Sequence, residues 1–314
     1  GISGDTVALN SPAIGSYDNK NAGTGKTVNV TGLSLVGGSA GNYQLAATST
    51  SAGLGTINPK TLSISGISVQ NKIYDGSTNA NVDAGSATFS GQISGDDISL
   101  NNGTLSANFA DKNVGMGKAI TVSGFSLTGT DANNYALNTG SFAGATANIT
   151  QRSLVITADA KTKVYGAIDP TLTYQITTGS LTAGDYFTGA LSRIIGESVA
   201  GGPYAINQNT LTAGGNYTLS YVSNVLSITP AELIATAKTQ SKVYGAADPT
   251  LTYTTTGLAN GDTTSIFTGE LLRDSGQNVG SYSINQNTLA ATSNYNLSYQ
   301  SAKLDISPAI LTVA

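Results

Sequence analysis

KVYGAIDPTLTY at residues 163–174 returns almost unchanged as KVYGAADPTLTY at residues 242–253, 79 positions later. A looser form of the same motif, KIYDG, occupies residues 72–76. A motif that recurs at this interval is typical of chains built from a row of similar domains. The sequence therefore predicts tandem repeats, and each feature should be compared with its counterparts in the other repeats.

Two kinds of repeat are predicted. KNAGTGKTVNVTGLSLVG at 20–37 matches KNVGMGKAITVSGFSLTG at 112–129, a register of 92 residues, whereas FTGAL at 187–191 returns as FTGEL at 267–271 after 80. We interpret residues 1–60 as the later part of a long-type module and 61–151 as a complete one. Residues 152–230 and 231–308 are two short-type modules, and 309–314 begin another.

The predicted joins share one pattern, a short turn between two apolar alternations. They read INPKTLSIS at 57–65, ITQRSLVIT at 149–157, ITPAELIAT at 228–236 and ISPAILTVA at 306–314. Pro59, Pro230 and Pro308 lie in three of these joins. Proline fixes φ and lacks an N–H, so it ends strand pairing and stiffens the connection. We therefore expect independently folded modules that form an elongated, semi-rigid rod.

Apolar residues alternate with a period of two. Tyr217, Leu219 and Tyr221 fall on one face of a strand, with Thr218 and Ser220 on the other. Such alternation indicates sheets with one buried and one solvated face, and 38 glycines interrupt any helical pattern. The predicted fold is all-β, with small Ig-like β-sandwich modules joined head to tail. β-grasp-like modules are the alternative.

The sequence also predicts two local features, tyrosine corners and β-bulges. Tyr204 and Tyr282 stand at the head of a strand, where each could form a tyrosine corner. The apolar phase slips at Gly124, which predicts a β-bulge there and at its counterpart Gly32.

Composition excludes several classes of function. The chain has 14 basic and 18 acidic residues, hence no excess of positive charge for nucleic acid or anionic lipid. It has no cysteine and no histidine, which removes disulfides, thiol chemistry and histidine-based catalysis. Its apolar runs are shorter than the ~18–20 residues that span a bilayer. We expect no cofactor, no metal site and no membrane insertion of this segment.

Two stretches resemble catalytic motifs only superficially. AGTGKT at 22–27 is like the end of a phosphate-binding loop, but Lys20 stands where that loop needs glycine, and a hairpin turn is the better interpretation. GDD at 95–97 has adjacent carboxylates, which would point to opposite faces of a strand, so a solvated loop is expected.

The remaining polar residues favour structural roles. Asp169 and Asp248, each followed by proline, are predicted to initiate turns by accepting hydrogen bonds from their own backbone. Arg193 and Arg273 occupy matching positions, and each is expected to pair with a nearby acid such as Asp185 or Asp262. The stretch DANN at 131–134 contains possible calcium ligands but is better read as a polar turn.

These motifs resemble the YDG and MBG (YGX-type) repeats of large bacterial surface adhesins of the filamentous-haemagglutinin-like kind. The short type carries KVYGAIDPTLTY, GD at 184–185, FTGALSR at 187–193 and NYTLSYVSNVLSITP at 216–230, and the long type carries KIYDGSTNA at 72–80. The resemblance covers essentially the whole chain. It implies a secreted, surface-exposed bacterial protein whose repeats form a stalk, and it implies no catalytic residues.

Two functions are therefore carried forward, neither of them enzymatic. The first is a stalk, on the order of 10–15 nm long, that displays a distal binding tip in attachment or biofilm formation. The second is weak, multivalent binding of a polysaccharide or matrix component by the repeats themselves. Exposed aromatic side chains at equivalent positions of the two short modules would favour the second.

Overall fold

The computed structural model describes residues 1–11, 14–138 and 145–312. They fall into two compact units, residues 1–151 and 152–314, and each is described by itself. Both units are all-β, which confirms the predicted fold class. The described residues contain no α-helix, and this argues against β-grasp-like modules. Their helical turns are short 3-10 segments, at Ala40–Asn42, Asn102–Thr104, Ala132–Asn134 and Thr264–Ile266.

The first unit contains seventeen strands in the described residues. In residues 1–57 they are β1 (Ala8–Leu9), β2 (Ile14–Tyr17), β3 (Gly23–Thr31), β4 (Leu35–Val36) and β5 (Ser49–Ile57). In residues 60–150 they are β6 (Lys60–Ser65), β7 (Ser68–Val69), β8 (Lys72–Ile73), β9 (Asn79–Ala80), β10 (Val82–Asp83), β11 (Thr88–Ser90), β12 (Ser99–Leu100), β13 (Ser106–Phe109), β14 (Gly115–Ser123), β15 (Leu127–Thr128), β16 (Tyr135–Asn138) and β17 (Thr146–Thr150).

These strands form two larger sheets in residues 60–150 and one before them. The sheet orders are β11-β6-β16, β8-β17-β14-β13-β9 and, in residues 14–57, β2-β3-β5. The smaller pairs are β1-β4, β10-β7 and β12-β15. Leu62 and Ile64 from the first sheet, and Phe109, Ile120 and Ile149 from the second, are buried.

The second unit contains two sets of strands. The set in residues 152–229 is β18 (Arg152–Ala158), β19 (Lys161–Val164), β20 (Tyr174–Thr178), β21 (Ser192–Arg193), β22 (Tyr204–Asn207), β23 (Tyr217–Val222) and β24 (Asn224–Thr229). The set in residues 231–307 is β25 (Ala231–Ala237), β26 (Gln240–Val243), β27 (Tyr253–Thr256), β28 (Phe267–Thr268), β29 (Leu272–Arg273), β30 (Gly280–Asn285), β31 (Ala290–Ala291), β32 (Tyr295–Gln300) and β33 (Ala302–Ser307).

Each short repeat is a three-stranded sheet facing a four-stranded sheet. The orders are β20-β18-β23 with β19-β24-β22-β21, and β27-β25-β32 with β26-β33-β30-β29, and the second repeat also has the pair β28-β31. In the second repeat Ala237 from one sheet packs with Ile284, Leu304 and Ile306 from the other. The period-two pattern decides these faces: Tyr217 is buried, whereas Thr218 and Ser220 are exposed. Leu226 and Leu304, at matching positions, are 0% exposed.

Of the local predictions, the two tyrosine corners are confirmed and the β-bulge at Gly124 is wrong. Tyr204 and Tyr282 do form tyrosine corners, because their hydroxyls donate to the backbone oxygens of Ser198 at 2.7 Å and Asn278 at 2.9 Å. The prediction of a bulge at Gly124 is wrong. β14 ends at Ser123, and the chain then passes to β15 in another sheet.

Glycine is required at this change of sheet. Gly124 has a φ of +79°, and a Cβ there would lie 1.8 Å from the Thr104 carbonyl oxygen. The hairpin turn predicted at residues 22–27 is also wrong, since they enter β3, whose pairing with β5 shifts register between Thr24 and Thr27. The extra residue of a bulge accounts for that glycine-rich stretch.

Candidate functional site: the junction between repeats

The tyrosine of the KVY motif is held at the end of its own repeat. β19 pairs in parallel with β24, so Val164 lies opposite Thr229, the last strand residue before Pro230. The Tyr165 N–H donates to the Thr229 carbonyl oxygen at 2.9 Å. The motif and the join therefore meet at one end of the sandwich, and the Tyr165 ring is directed to the following repeat.

Tyr165 inserts between residues of that following repeat. Its hydroxyl donates to Asp262 Oδ2 at 2.9 Å and accepts from Asn260 Nδ2 at 3.3 Å. Its ring meets the Tyr295 ring edge-on, with centroids 5.3 Å apart, a favourable aromatic geometry. Tyr165 is only 6% exposed although it stands at the end of its own sandwich.

Asp262 and Tyr295 form the receiving side of this contact. The Tyr295 hydroxyl donates to Asp262 Oδ2 at 2.8 Å and accepts from the Ala259 N–H at 2.9 Å. Burial raises the pKa of Tyr295, and the hydrogen bond to Asp262 raises it further. The phenol therefore remains a donor at neutral pH, and the Asp262 carboxylate binds two phenols, one from each repeat.

A single hydrophobic cluster crosses the join. It contains Tyr165, Tyr204 and Ile228 before Pro230, and Ala231, Leu233 and Tyr295 after it. Gly166 completes the fit, because its φ is +80° and a Cβ there would lie 2.6 Å from Ala259 Cβ. The two sandwiches of this pair therefore share buried apolar surface and are held together by more than the short join.

A third hydrogen bond spans the same join. Asn294 Oδ1 accepts from the Val199 N–H of the preceding repeat at 2.8 Å. The Asn294 carbonyl oxygen accepts from the Ala231 N–H at 3.0 Å. One asparagine thus fixes both the loop before β22 and the start of β25.

The first unit contains the same arrangement with a different donor. Asn134 Oδ1 accepts from the Ala22 N–H at 2.8 Å, as Asn294 does from Val199. The Tyr135 hydroxyl donates to Asp96 Oδ2 at 2.6 Å. In place of a tyrosine, Lys20 Nζ reaches Asp96 Oδ1 at 2.7 Å. The receiving aspartate is kept, and the group inserted from the preceding repeat changes.

Asp96 and Lys20 are both charged at this junction. Hydrogen bonds from Lys20 and Tyr135 lower the pKa of Asp96, and the hydrogen bond to Asp96 raises the pKa of Lys20. The Asp96 side chain is only 5% exposed, so the expectation of a solvated GDD loop is wrong for this residue. Asp97 turns away and accepts from the Thr130 N–H at 3.0 Å. The two carboxylates therefore form no shared acid–base pair.

One aspartate–tyrosine pair recurs in all four repeats. The tyrosine hydroxyl donates to the carboxylate in Asp5–Tyr43, Asp96–Tyr135, Asp185–Tyr217 and Asp262–Tyr295, at 2.6, 2.6, 2.6 and 2.8 Å. The same hydroxyl accepts the N–H of the residue three positions before the aspartate: Ile2, Ile93, Thr182 and Ala259. We call this arrangement the Asp–Tyr socket.

The socket has a sequence signature, which consists of two dipeptides that each recur once per repeat. A glycine at positive φ precedes each aspartate: Gly4, Gly95, Gly184 and Gly261. An asparagine precedes each tyrosine: Asn42, Asn134, Asn216 and Asn294. Gly-Asp and Asn-Tyr recur once per repeat in the same order, and this recurrence was the available signal for their contact.

A second polar cluster lies at the side of each short repeat. Lys163 Nζ contacts Asp169 Oδ1 at 2.6 Å, and Arg193 Nε contacts Asp169 Oδ2 at 2.5 Å. Glu197 pairs with both cations. In the next repeat Lys242 and Arg273 hold Asp248 in the same way, at 2.6 and 2.7 Å. Gln277 takes the place of Glu197 and accepts from Lys242 at 2.8 Å.

Two predictions are corrected by this cluster. Arg193 and Arg273 do form ion pairs, but with Asp169 and Asp248. Asp185 and Asp262, the acids named from sequence, belong to the Asp–Tyr sockets. Asp169 and Asp248 use their carboxylates to bind these lysines and arginines, so the described contacts do not support the predicted self-capping turn.

The cluster is ionised. The hydrogen bond from Arg193 is the main cause that lowers the pKa of Asp169 to about 2, and Arg273 does the same for Asp248. Burial lowers the pKa of Lys163, but its hydrogen bonds to Asp169 and Glu197 outweigh burial and raise the pKa. A general acid needs a pKa near the working pH, and the pKa values of Asp169 and Asp248 lie far below it. These ionised groups suit a structural ion-pair network instead.

Candidate ligand surfaces are few in the described parts of the second unit. Its exposed tyrosines are Tyr186, 72% exposed, and Tyr244, 52% exposed. Their counterparts in the other short repeat are Ile266 and the buried Tyr165. The matched pair of exposed aromatics that would favour glycan binding is therefore not found there.

The described residues hold no group of three acidic side chains that could bind a metal ion, and Asp131 instead contacts Lys20. Helices of the length and hydropathy that a bilayer requires are likewise not found in this part of the chain.

Comparison with known families matches both kinds of repeat. A family model described as YDG domain matches residues 1–51 and 58–142. A second, described as MBG domain (YGX type), matches residues 154–227 and 233–305. A search of curated proteins found no match to the chain.

Proposed function

Because the chain belongs to the YDG and MBG (YGX-type) families of repeat domains, we propose that it is a stalk segment of a secreted bacterial surface adhesin. In this role it holds a distal binding tip away from the cell during attachment or biofilm formation. The role is mechanical and uses no catalytic residue, cofactor or metal.

The junction between residues 152–230 and 231–308 carries this proposal. A flexible tether would need only a loop there, but Tyr165 and Leu233 share one buried cluster across the join. Val199 and Asn294 add a hydrogen bond that fixes orientation. Stiff joins are what a stalk requires, because a chain of freely hinged domains would collapse toward its anchor.

Small-angle scattering of the full chain tests the stalk directly. A compact protein of this length has a radius of gyration of about 20 Å. Four modules in a row should instead be on the order of 10–15 nm long and have a clearly larger radius of gyration. A value near that of the compact protein would reject the proposal.

The alternative function is weak, multivalent recognition of polysaccharide or matrix by the repeats. The mismatch between Tyr186 and Ile266 gives it less support, because stacking platforms are not repeated. A glycan array and a matrix pull-down with the full chain test it. Specific retention would favour this alternative.

A further inference from the structure

The first two strands of each short repeat run in parallel beside its last two strands. β18 pairs with β23 from Arg152↔Tyr217 to Thr157↔Val222, and β19 pairs with β24 from Lys161↔Leu226 to Val164↔Thr229. Tyr217 lies 65 residues after Arg152, and Thr229 lies 65 after Val164. The offset stays constant although the two ladders belong to different sheets. Residues 152–164 and 217–229 therefore form one long strand pair that passes from sheet to sheet.

The other repeats preserve this topology. β25 pairs in parallel with β32 and β26 with β33, again with ten residue pairs in total. In the long-type repeat β6 pairs in parallel with β16 and β8 with β17, with six pairs in the described residues. In every complete repeat, the stretch of chain that enters is therefore bonded in parallel to the stretch that leaves.

This topology determines how a repeat resists tension. A pull on the two ends acts at the start of the first strand and at the end of the last one. Because the strands are parallel, these points lie at opposite ends of the pair, and the strands must slide past each other. Interstrand hydrogen bonds lie across the direction of sliding, so many are loaded at once. If both points lay at the same end, the bonds would break one at a time.

We propose that the parallel first-to-last strand pair is a tension clamp that makes each repeat a load-bearing unit. The proposal rests on the proposed stalk role, which would place tension on both ends of each repeat. The load reaches each repeat through the rest of the polypeptide, and no ligand is needed.

Burial and side-chain contacts protect the clamp. Leu154, Ile156 and Leu226 lie within the paired strands and are each 0% exposed, so water has little access to compete for hydrogen bonds on that face. At the exit end the Tyr165 N–H and the Thr229 hydroxyl bind across the pair, to Thr229 O at 2.9 Å and Lys163 O at 3.3 Å. These contacts resist opening of the end that carries the load.

The clamp predicts similar resistance in the two short repeats. Each has ten residue pairs in its clamp, six in one sheet and four in the other. If the bonds share the load, the two short repeats should open at similar forces.

Single-molecule extension of the full chain from its two ends provides the test. Unfolding steps should lengthen the chain by about 3.3–3.6 Å per released residue, and this step length identifies the two short repeats. We expect the steps of the two short repeats at similar forces, because their clamps have the same number of pairs. Clearly different forces for these two steps would overturn load sharing by the clamp.

A second pulling geometry tests the clamp itself. The chain has no cysteine, so Ser153→Cys and Gly215→Cys can carry handles without competition. A Cβ at Gly215 meets no atom within 4 Å, and Ser153 is exposed. Both sites lie at the start of the parallel pair, so this pull peels β18 from β23. The force should fall by more than about twofold relative to the end-to-end pull.

Equal forces in the two geometries would overturn the clamp and leave the stalk untouched. A compact particle in scattering would reject the stalk, whereas the dependence of force on geometry would still stand. The two proposals can therefore fail separately.

Discussion

The two junctions use the same Asp–Tyr socket but fill it with different chemistry. In the first unit Lys20, whose side chain is 68% exposed, contacts Asp96, whose side chain is 5% exposed. In the second unit Tyr165, only 6% exposed, brings a ring and a hydroxyl to Asp262. An ion pair whose cation remains in solvent is screened by salt, whereas a buried aromatic ring contributes through apolar area as well. The second junction should therefore be the more strongly coupled.

Removal of the ring at the second junction should have the largest effect. Tyr165→Ala deletes a buried aromatic side chain and leaves a cavity beside Tyr295, which should cost about 3–5 kcal/mol of unfolding free energy. Calorimetry of the full chain can measure this loss. Tyr244→Ala is the matched control, because Tyr244 has the same position in its repeat but is half exposed. An equal effect of the two substitutions would show that the junction is not what Tyr165 stabilises.

Removal of one hydroxyl from the socket should have an intermediate effect. Tyr295→Phe takes the donor from Asp262 and the acceptor from the Ala259 N–H, which should cost about 1–3 kcal/mol. Tyr135→Phe should destabilise the first unit in the same direction, because its contacts are the same. Denaturant unfolding would check both variants. If only one of the two variants lost stability, the two sockets would not be equivalent.

Acid should weaken the second unit through its ion-pair clusters. The pKa values of Asp169 and Asp248 are about 2 in the folded protein, below the ordinary 3.8. Carboxylates with a lowered folded pKa bind fewer protons in the folded state, so their stabilisation is present above about pH 4 and is lost as the pH falls toward 2. Thermal unfolding between pH 5 and 2 would follow this loss. The double variant Asp169→Asn, Asp248→Asn should show a flatter pH dependence, and an unchanged slope would contradict the assignment.

Removal of the lysine at the first junction should have the smallest effect. Lys20→Ala should cause a slight loss of stability at low salt that disappears as the ionic strength rises, because the Lys20 side chain is largely exposed. The effect of Tyr165→Ala should persist at high salt. Unfolding midpoints measured across a salt series would separate the two. A salt-independent loss for Lys20→Ala would show that the difference between the junctions is not electrostatic.

The fold could be predicted from sequence because its causes are local and repeated. Alternation around Tyr217 gives strands, and the recurrence of KVYG gives the repeat. The tyrosine corners at Tyr204 and Tyr282 could be predicted for the same reason, since the hydroxyl binds a backbone oxygen only a few residues away.

The junction could not be predicted, because its contacts join residues far apart in sequence. Asp262 and Tyr295 are 33 residues apart, and Tyr165 lies 97 residues before Asp262. Strand order decides such contacts, and periodicity does not reveal strand order. Because strand order is not visible in the sequence, proximity along the chain points from Arg193 to Asp185. Asp169 is farther along the chain, but the fold brings it to Arg193.

Pulsed electron–electron double resonance tests the central claim, which is that the Asp–Tyr socket holds neighbouring repeats at a fixed distance and orientation. Spin labels can be placed on cysteines at Gln175 and Thr254, exposed and equivalent positions in a chain that has no other cysteine. A narrow distance distribution that broadens in the Tyr165→Ala variant is the predicted result. A broad distribution in the unsubstituted junction, or a narrow one that Tyr165→Ala leaves unchanged, would contradict the account.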